Sequence, residues 1–466
     1  MTATADLELA FAGPGALAEL VRARSVHPRE LVELYLRRIE ALDSRVNAFR
    51  VTLDEQALAA AEDVHAGPLA GVPVAVKDNM ALAGEAVTLG SRAFEPAAAP
   101  ADAEAVRRLR AAGAIPIGIT NVPELTIWPW TASDANGITR NPWDPSRTPG
   151  GSSGGSGAAV AAGMVPAATG TDGGGSLRIP AACCGLVGMK PTRGRVSTHP
   201  ERESWLGLNV YGALARTVRD SALLLDVMQG AVRGDADAAP AASGSFLEAA
   251  GRAPGTLRIA VSRKIPAGVI ARLSSDQRGA WERTGALMGE LGHEVVQRDP
   301  AYGLGASLEF TQTWLRGIYE QSRRLPDRSL LERSTRQMAI AGRVLVPERR
   351  RDGLRARRAA TSARILALWD EVDVLLTPGL ASTAIAAEGG YGHAAPIAFD
   401  RAARFTPFTP AFNLTGQPAV TVPAGGSDGL PLSVQLVGRP GAEATLYSLA
   451  AQIEAARPWA QQRPPS

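Results

Sequence analysis

The sequence predicts an α/β fold: a single large α/β/α domain whose central, mixed and mostly parallel twisted sheet is covered by helices. Short apolar runs alternate with helical segments along the chain, which is typical of doubly wound sheets. Hydrophobic residues make up 45% and charged residues 20% of the 466 residues, so the chain can bury a large core. No internal repeat and no long linker divides it, which favours one domain over residues 1–466.

The first elements of this alternation lie in the N-terminal third. An amphipathic helix begins near Pro28, because apolar residues recur after it at the helical period. The apolar run from Gly71 to Val76 ends at Lys77. A charged helix over Ala103 to Ala112 then leads to a second apolar run, Ala114 to Ile119. Two strands joined by a helix predict a parallel pair.

The same alternation returns in the C-terminal half. The predicted elements are strands at Leu257 to Ser262, Glu294 to Arg298, Val372 to Pro378, Ala419 to Pro423 and Leu432 to Val437, and helices at Gln277 to Leu291 and Ala444 to Ala456. Between them, residues 302–368 are helical in pattern and rich in arginine. Because Glu348 and Asp352 lie among the arginines, we interpret this segment as a solvated helix face and not as an RNA-binding surface.

The charge balance excludes polyelectrolyte functions. Lys and Arg number 49 against 46 Asp and Glu, a formal net charge of +3, so we expect no nucleic-acid partner. The longest uncharged run, Thr148 to Thr171, is mostly Gly, Ser, Ala and Pro and does not resemble a membrane helix. Met1 to Phe11 lacks the pattern of a signal peptide. A bridge between the adjacent Cys183 and Cys184 would be strained, so we expect free thiols, a cytoplasmic location and no membrane association.

Metal and nucleotide sites have little support in the sequence. The five histidines are scattered, and neither an HExxH nor a CxxC motif occurs. No GxxxxGK[ST] loop is present, and Gly155 to Val160 departs from GxGxxG at its last position. We therefore expect no metal and no cofactor.

A glycine-serine loop from Gly150 to Gly157 leads directly into Ala158 to Ala162, which favours a helix and places the loop inside the domain. Its first five residues fit the GxSxG pattern of an α/β-hydrolase nucleophile elbow. That pattern needs a strand before it and a late histidine as base, for which His393 is the candidate. An esterase of this type stays open as an alternative.

Lysine is scarce, occurring only at Lys77, Lys190 and Lys264, whereas arginine is the default cation. A buried amine can lose its proton and a guanidinium cannot. To act as a base near neutral pH, Lys77 needs a pKa lowered by about 3 units, a cost of about 4 kcal/mol that burial at a strand end can supply. The ordinary alternative is a snorkelling surface lysine.

Several motifs in this chain together resemble the amidase signature family. They are the strand Gly71-Val-Pro-Val-Ala-Val-Lys77-Asp78, the Gly150 to Gly157 loop, Gly170-Thr-Asp-Gly-Gly-Gly-Ser176-Leu-Arg-Ile-Pro-Ala, Gly188-Met-Lys-Pro-Thr-Arg-Gly-Arg and Phe412-Asn-Leu-Thr-Gly-Gln-Pro-Ala. The resemblance spans nearly the whole chain, and the order of the motifs makes it specific.

The resemblance implies a Ser-cisSer-Lys triad. By motif position, Ser176 is the nucleophile, Ser152 is the bridging serine with a cis peptide, and Lys77 is the base. Neutral Lys77 would accept a proton from Ser152 while Ser152 takes one from Ser176, and the relay would reverse to protonate the leaving amine. The backbone N–H groups of Gly173, Gly174, Gly175 and Ser176 would form an oxyanion hole.

The resemblance also implies supporting and substrate-binding residues. Ser153 and Asp172 adjoin the triad, and the segment from Glu124 to Trp130 is expected near the acyl pocket, with Thr126, Ile127 and Trp128 as its lining residues. Trp128 and Trp130 fit core aromatics equally well. Gly173 and Ile119 depart from the family pattern, where a larger residue and a lysine are common, and this leaves the substrate size open.

The implied function is a cofactor-independent amidase that cleaves R-CO-NH2 or a small N-substituted amide, through an acyl-enzyme, to a carboxylate and ammonia or an amine. Its expected partner is a small-molecule amide, and a homodimer is possible. The alternatives are the glutamine-hydrolysing subunit of a tRNA amidotransferase, the esterase above and a non-catalytic binding module.

The implied amidase signature fold divides the domain into four segments. Residues 1–65 form an N-terminal helical segment, and residues 66–230 form the core with the triad. Residues 264–404 form a more variable, largely helical region that shapes the substrate site, and residues 405–466 return to the core.

Overall fold

A computed structural model describes residues 3–94 and 97–465 of the chain. The strands are β1 (Phe49–Thr52), β2 (Pro73–Lys77), β3 (Ile115–Thr120), β4 (Ala132–Ser133), β5 (Gly137–Ile138), β6 (Ala168–Asp172), β7 (Val187–Lys190), β8 (Val210–Ala215), β9 (Arg258–Val261), β10 (Glu294–Gln297), β11 (Val374–Pro378), β12 (Ala419–Ser427) and β13 (Leu430–Gly438).

Helices surround these strands. They are α1 (Ala3–Ala10), α2 (Pro14–Arg22), α3 (Pro28–Val46), α4 (Asp54–Ala60), α5 (Glu104–Ala111), α6 (Gly154–Ala161), α7 (Arg178–Cys184), α8 (Val218–Met228), α9 (Phe246–Ala250), α10 (Ser275–Glu290), α11 (Ala306–Ser322), α12 (Arg333–Leu345), α13 (Glu348–Leu366), α14 (Ala395–Phe405), α15 (Ala411–Thr415) and α16 (Glu443–Ala456). Short 3-10 turns occur at Glu124–Thr126, Trp205–Gly207, Arg328–Leu330 and Ala367–Asp370. None of the helices in the described ranges has the length and apolarity needed to cross a lipid bilayer.

Eleven of the strands described form one mixed sheet in the order β1-β3-β2-β6-β8-β7-β12-β13-β11-β9-β10, which confirms the α/β class. The expectation of a mostly parallel sheet is wrong in detail, because six of the ten neighbouring pairs are antiparallel. Parallel pairing is confined to the blocks β3-β2-β6 and β11-β9-β10. In the middle of the sheet, β12 and β13 form a hairpin whose turn residues Asp428 and Gly429 both have positive φ.

Apolar side chains pack on both faces of this sheet. Along β11, Val374 and Leu376 belong to one buried cluster and Leu375 to another, because successive side chains of a strand point to opposite faces. The first cluster includes residues of α3, α8, α10 and α16, and the second includes residues of α11, α12, α13 and α14. The sheet is therefore covered on both sides.

The segment boundaries need one correction. The N-terminal segment expected to be helical, residues 1–65, also contributes β1, which pairs antiparallel with β3 at the edge of the sheet. A strand of four residues is too short to show a clear alternation in the sequence. Residues 264–405 carry α10 to α14 together with β10 and β11.

Candidate active site

Lys77 is the last residue of β2 and its side chain is fully buried. Its Nζ lies 2.9 Å from Ser152 Oγ and 2.8 Å from Thr171 Oγ1. Burial lowers the pKa of the Lys77 ammonium well below its usual value, and the charge of Asp172 opposes that shift only in part. The geometry therefore favours a neutral amine in contact with a serine hydroxyl.

Ser152 lies in the loop that precedes α6, and the Gly151–Ser152 peptide bond is cis. This loop is held tightly against its surroundings. A Cβ built on Gly151 would lie 2.5 Å from the carbonyl oxygens of Trp128 and Trp130, so a side chain has no room there. Thr131 Oγ1 donates a hydrogen bond of 2.9 Å to the Gly150 carbonyl, which fixes the start of the turn.

Ser176 lies between the end of β6 and the start of α7, and only 6% of its surface is exposed. Because β2 and β6 are parallel neighbours, their carboxyl ends meet at one edge of the sheet and bring Lys77 and the Ser176 loop together. Within this loop Gly175 has φ +132°, and a Cβ there would lie 2.5 Å from Thr409 Oγ1. Both observations explain why this position requires glycine.

Asp172 anchors the Ser176 loop through hydrogen bonds to its buried carboxylate. Its carboxylate accepts hydrogen bonds from Arg178 Nε and Nη2, both at 2.9 Å, from Asn413 Nδ2 at 2.8 Å and from the Gly175 N–H at 2.8 Å. Burial alone would raise the pKa of Asp172, but Arg178, the charge of Lys190 and Asn413 outweigh it and lower that pKa to about 2. Asp172 is therefore a buried anion that orders the loop.

This network changes one of the site expectations. The N–H of Gly175 was expected to face the oxyanion, yet it is donated to Asp172 Oδ1. A carboxylate that must be satisfied in a buried position takes the nearest N–H groups, and Gly175 lies three residues from it. Gly173, Gly174 and Ser176 remain as the candidate oxyanion donors.

Thr171, which lies in the glycine-rich motif before Ser176, is a site residue that sequence reasoning missed. Its Oγ1 accepts hydrogen bonds from Lys77 Nζ at 2.8 Å and from Asn79 Nδ2 at 3.0 Å. Ser153 supports the same strand, since its Oγ lies 3.3 Å from the Thr171 N–H and 3.4 Å from the Thr171 carbonyl. The available signal for Thr171 was a hydroxyl residue directly before the Asp172-Gly173-Gly174 run.

Two cavities open at Ser176. A small one of about 10 Å³ is lined by Ser176, Ser152, Thr171 and Gly173, and by Asn209, Trp205, Trp314 and Thr126. A large one of about 110 Å³ is lined by Ser176, Gly174, Ile127 and Trp128 and by residues of α11 and α14. All three residues expected near the pocket, Thr126, Ile127 and Trp128, line one of the two cavities. Trp128 also stacks on Trp130 with ring centroids 5.2 Å apart, so it serves both as core and as wall.

The alternative candidates lie elsewhere. His393, the base that an esterase would need, lies in the loop before α14 and is not among the residues described as lining either cavity. Lys190 is also buried, but its Nζ donates to the Pro191 carbonyl at 2.9 Å. Within residues 3–94 and 97–465, no three His, Cys, Asp or Glu side chains cluster so that they could hold a metal ion.

Comparison with known proteins identifies relatives of this architecture. The model of the Amidase family matches residues 30–447. A Mycobacterium tuberculosis protein named as an amidase, AmiB2, is 48% identical, with 98% of each chain covered. The 6-aminohexanoate-cyclic-dimer hydrolase of Paenarthrobacter ureafaciens is 35% identical over 96% of this chain and 95% of that protein.

Solved structures agree with these relatives. The structure of a 6-aminohexanoate cyclic dimer hydrolase superposes with a TM-score of 0.90 at 33% identity, covering 98% of this chain and 99% of that one. A bacterial aryl acylamidase of the amidase signature family gives a TM-score of 0.87 at 26% identity, with 97% of each chain covered.

Proposed function

This chain belongs to the amidase family and hydrolyses amide C–N bonds, and on that premise we propose that Ser176, Ser152 and Lys77 are its catalytic triad. The observation that carries the proposal is the 2.9 Å contact between Lys77 Nζ and Ser152 Oγ at the end of β2. A fully buried amine with a lowered pKa can accept a proton on its lone pair, and the Ser152 hydroxyl lies at hydrogen-bond distance from it.

Acylation proceeds by a two-step proton relay. Ser152 gives its hydroxyl proton to the Lys77 amine and takes the proton of Ser176, whose Oγ forms a bond to the amide carbon. When the tetrahedral intermediate collapses, the C–N bond breaks, Ser152 protonates the leaving nitrogen and Lys77 returns a proton to Ser152. Water, activated by the same relay, then cleaves the acyl-enzyme, so the products are a carboxylate and ammonia or a small amine.

The Ser176 loop stabilises the oxyanion in this scheme. The N–H groups of Gly173, Gly174 and Ser176 donate to the oxygen, and the Gly175 N–H holds the loop in place through Asp172. Losing one oxyanion donor typically costs about 3 kcal/mol of transition-state stabilisation. Neither a metal nor a cofactor takes part in the proposed reaction.

We also propose a cytoplasmic location and retain a homodimer as an expectation. The location is supported by Cys183 and Cys184, which are buried free thiols. The homodimer rests on the general prevalence of two-fold dimers among homo-oligomeric proteins.

The experiment that tests the triad is intact-mass labelling with a small ethyl fluorophosphonate, run alongside ammonia release from neutral amides. We expect one adduct on the wild-type chain, no adduct on Ser176→Ala and ammonia release only from the wild type. An adduct that persists in Ser176→Ala would place the nucleophile elsewhere and reject the proposal. Ammonia release by the protein alone also distinguishes it from an amidotransferase subunit that depends on partners.

A further inference from the structure

The two cavities that open at Ser176 differ in chemistry as well as in size. The small cavity, of about 10 Å³, carries the hydroxyls of Ser152 and Thr171 and the amide of Asn209. None of the described side chains that line the large cavity, of about 110 Å³, is ionisable, and their polar groups are hydroxyls and the indole N–H groups of Trp128 and Trp314. One side of the nucleophile is therefore small and polar, and the other is large and apolar.

The proposed relay decides which part of the substrate enters each cavity. Ser152 must reach the leaving nitrogen in order to protonate it, so the leaving group lies on the side of Ser152. Ser152 and Thr171 line the small cavity, where about 10 Å³ leaves room for ammonia or the nitrogen of a small amine. The acyl group then extends from Ser176 past Gly174 into the large cavity.

We propose that the large cavity is an acyl chamber that selects bulky, uncharged, apolar acyl groups on primary or small N-substituted amides. This inference rests on the proposed function, because it takes Ser176 as the nucleophile and Ser152 as the proton donor to the leaving group. It adds a substrate class to the reaction: amides of aromatic and medium-chain aliphatic carboxylic acids.

The chamber walls beside the reacting centre are aromatic. Phe310 and Trp314 of α11 stack with ring centroids 5.5 Å apart and an interplanar angle of 22°. A Cβ built on Gly174 would lie 3.1 Å from the Phe310 ring, so this ring borders the Ser176 loop directly. Trp128 lies on the same chamber and is fixed by its stacking on Trp130. Aromatic walls of this kind favour a ring or an extended alkyl chain.

The absence of ionisable groups among the described wall residues makes the chamber selective against charge. An ammonium or carboxylate on the acyl group would lose its hydration and find no partner of opposite charge. Hydroxyls such as those of Ser307 and Thr406 cannot neutralise an ion. Free glutamine is therefore a poor substrate, because it carries an ammonium and a carboxylate at the end of the molecule opposite its side-chain amide.

Three exposed apolar side chains lie close in sequence to residues that line the chamber. Ile270 follows the lining residue Val269 and is 78% exposed, and Leu304 and Leu308 are close in sequence to the lining residue Ala306 and are 87% and 58% exposed. An acyl group that extends beyond the chamber would gain apolar contact from side chains of this kind. We expect kcat/KM to increase with acyl length from propionamide to octanamide.

The test uses three amides of equal acyl length that differ only at the far end: hexanamide, 6-aminohexanamide and adipic acid monoamide. We expect kcat/KM for each charged amide to be lower than for hexanamide by at least about 100-fold, because a buried charge without a partner is strongly disfavoured. Charged and neutral amides hydrolysed within threefold of one another would overturn the proposal.

The orientation of the substrate is tested with a pair that exchanges the bulky group. Phenylacetamide carries its ring on the acyl side, and acetanilide carries it on the leaving side. We expect phenylacetamide to be the better substrate by at least about tenfold, in keeping with the size difference between the cavities. Faster hydrolysis of acetanilide would assign the large cavity to the leaving group and reject the acyl chamber.

A charge placed in the wall provides the structural test. Ala403 lines the chamber on α14 and is only partly buried, so Ala403→Glu is tolerable for folding. We expect its kcat/KM to fall for hexanamide and to rise for 6-aminohexanamide, shifting their ratio by at least about tenfold. The matched control Ile397→Glu puts the same charge at an exposed position of the same helix outside the chamber lining. An equal shift in both variants would contradict the assignment.

The small ethyl fluorophosphonate separates the two levels of failure. If Ser176 is labelled and amides are hydrolysed, but without preference for neutral acyl groups, the triad stands and the acyl chamber is wrong. If Ser176 is not labelled and no amide in the panel is hydrolysed, the proposed function fails and the chamber fails with it.

Discussion

The two sides of Ser176 are built from different parts of the chain. On the catalytic side, Lys77, Ser152 and Thr171 come from strand ends and loops of the region 66–230, and they are joined by hydrogen bonds of 2.8 and 2.9 Å. On the other side, α11 and α14 of the region 264–404 contribute apolar walls. Polar chemistry needs a few residues at fixed distances, whereas an apolar wall needs only shape and the absence of charge. The comparison indicates that reaction type and substrate choice are separately encoded.

Removing the nucleophile is the harshest test of the catalytic side. We expect Ser176→Ala to reduce kcat by about 10⁴-fold or more, since the covalent route is lost. Steady-state ammonia release from hexanamide measures this. Thermal unfolding checks that the fold is intact. A variant with both a normal Tm and substantial activity would show that Ser176 is not the nucleophile.

Replacing the base while keeping a positive charge comes next in size. We expect Lys77→Arg to lower kcat by about 10³-fold, nearly as much as Lys77→Ala, because a guanidinium stays protonated and cannot accept a proton. The exposed Lys264 provides the matched control, and Lys264→Arg should retain wild-type rates. Retention of most activity in Lys77→Arg would remove Lys77 from the role of base.

The pH dependence gives a graded version of the same test. The pKa of Lys77 is lowered by burial, and only the neutral amine is active, so the active form predominates above that pKa and is lost as the pH falls through it. We expect kcat/KM for hexanamide to fall by about tenfold per pH unit on the acid side. A profile that stays flat from pH 5 to 9 would count against the neutral amine.

The smallest effect on the catalytic side is expected at Thr171, which contacts the proposed base. Thr171→Val removes the acceptor of two hydrogen bonds, those from Lys77 and Asn79. We expect kcat to fall by about tenfold with little change in KM. This corresponds to an activation free energy raised by about 1.4 kcal/mol because Lys77 is held less precisely. Thr171→Ser restores the hydroxyl and should recover most of the rate. A change in KM alone would make Thr171 a substrate contact and not a positioning residue.

More residues of the catalytic side than of the substrate side could be predicted from the sequence. Lys77 and Ser176 each lie in an unbroken sequence motif. Lys77 ends the apolar strand β2, and Ser176 follows the strand β6, so the sequence indicates where both residues lie. β2 and β3 were predicted within two residues of their bounds, and α16 within one. The meeting of Lys77 with the Ser176 loop then follows from two parallel strands, β2 and β6, that end at the same edge of the sheet.

What the sequence could not show depends on tertiary contacts. β6 and β8 were missed because Ala168–Asp172 is rich in small residues and both strands are buried along their whole length, so no alternation marks them. The use of the Gly175 N–H depends on where the buried Asp172 carboxylate points. Phe310 and Trp314 meet the Ser176 loop from more than 130 positions away, and the pattern there indicated only a helix.

The central claim is that a neutral Lys77 activates Ser176 through Ser152, and it is tested most directly by the acylation step alone. The measurement is the rate at which ethyl fluorophosphonate labels Ser176 in the wild type and in Lys77→Arg, at pH 7 and pH 9. We expect the variant to be labelled about 10³-fold more slowly at both pH values. Equal labelling rates in the two proteins would show that Ser176 is activated by some other group and would contradict the account.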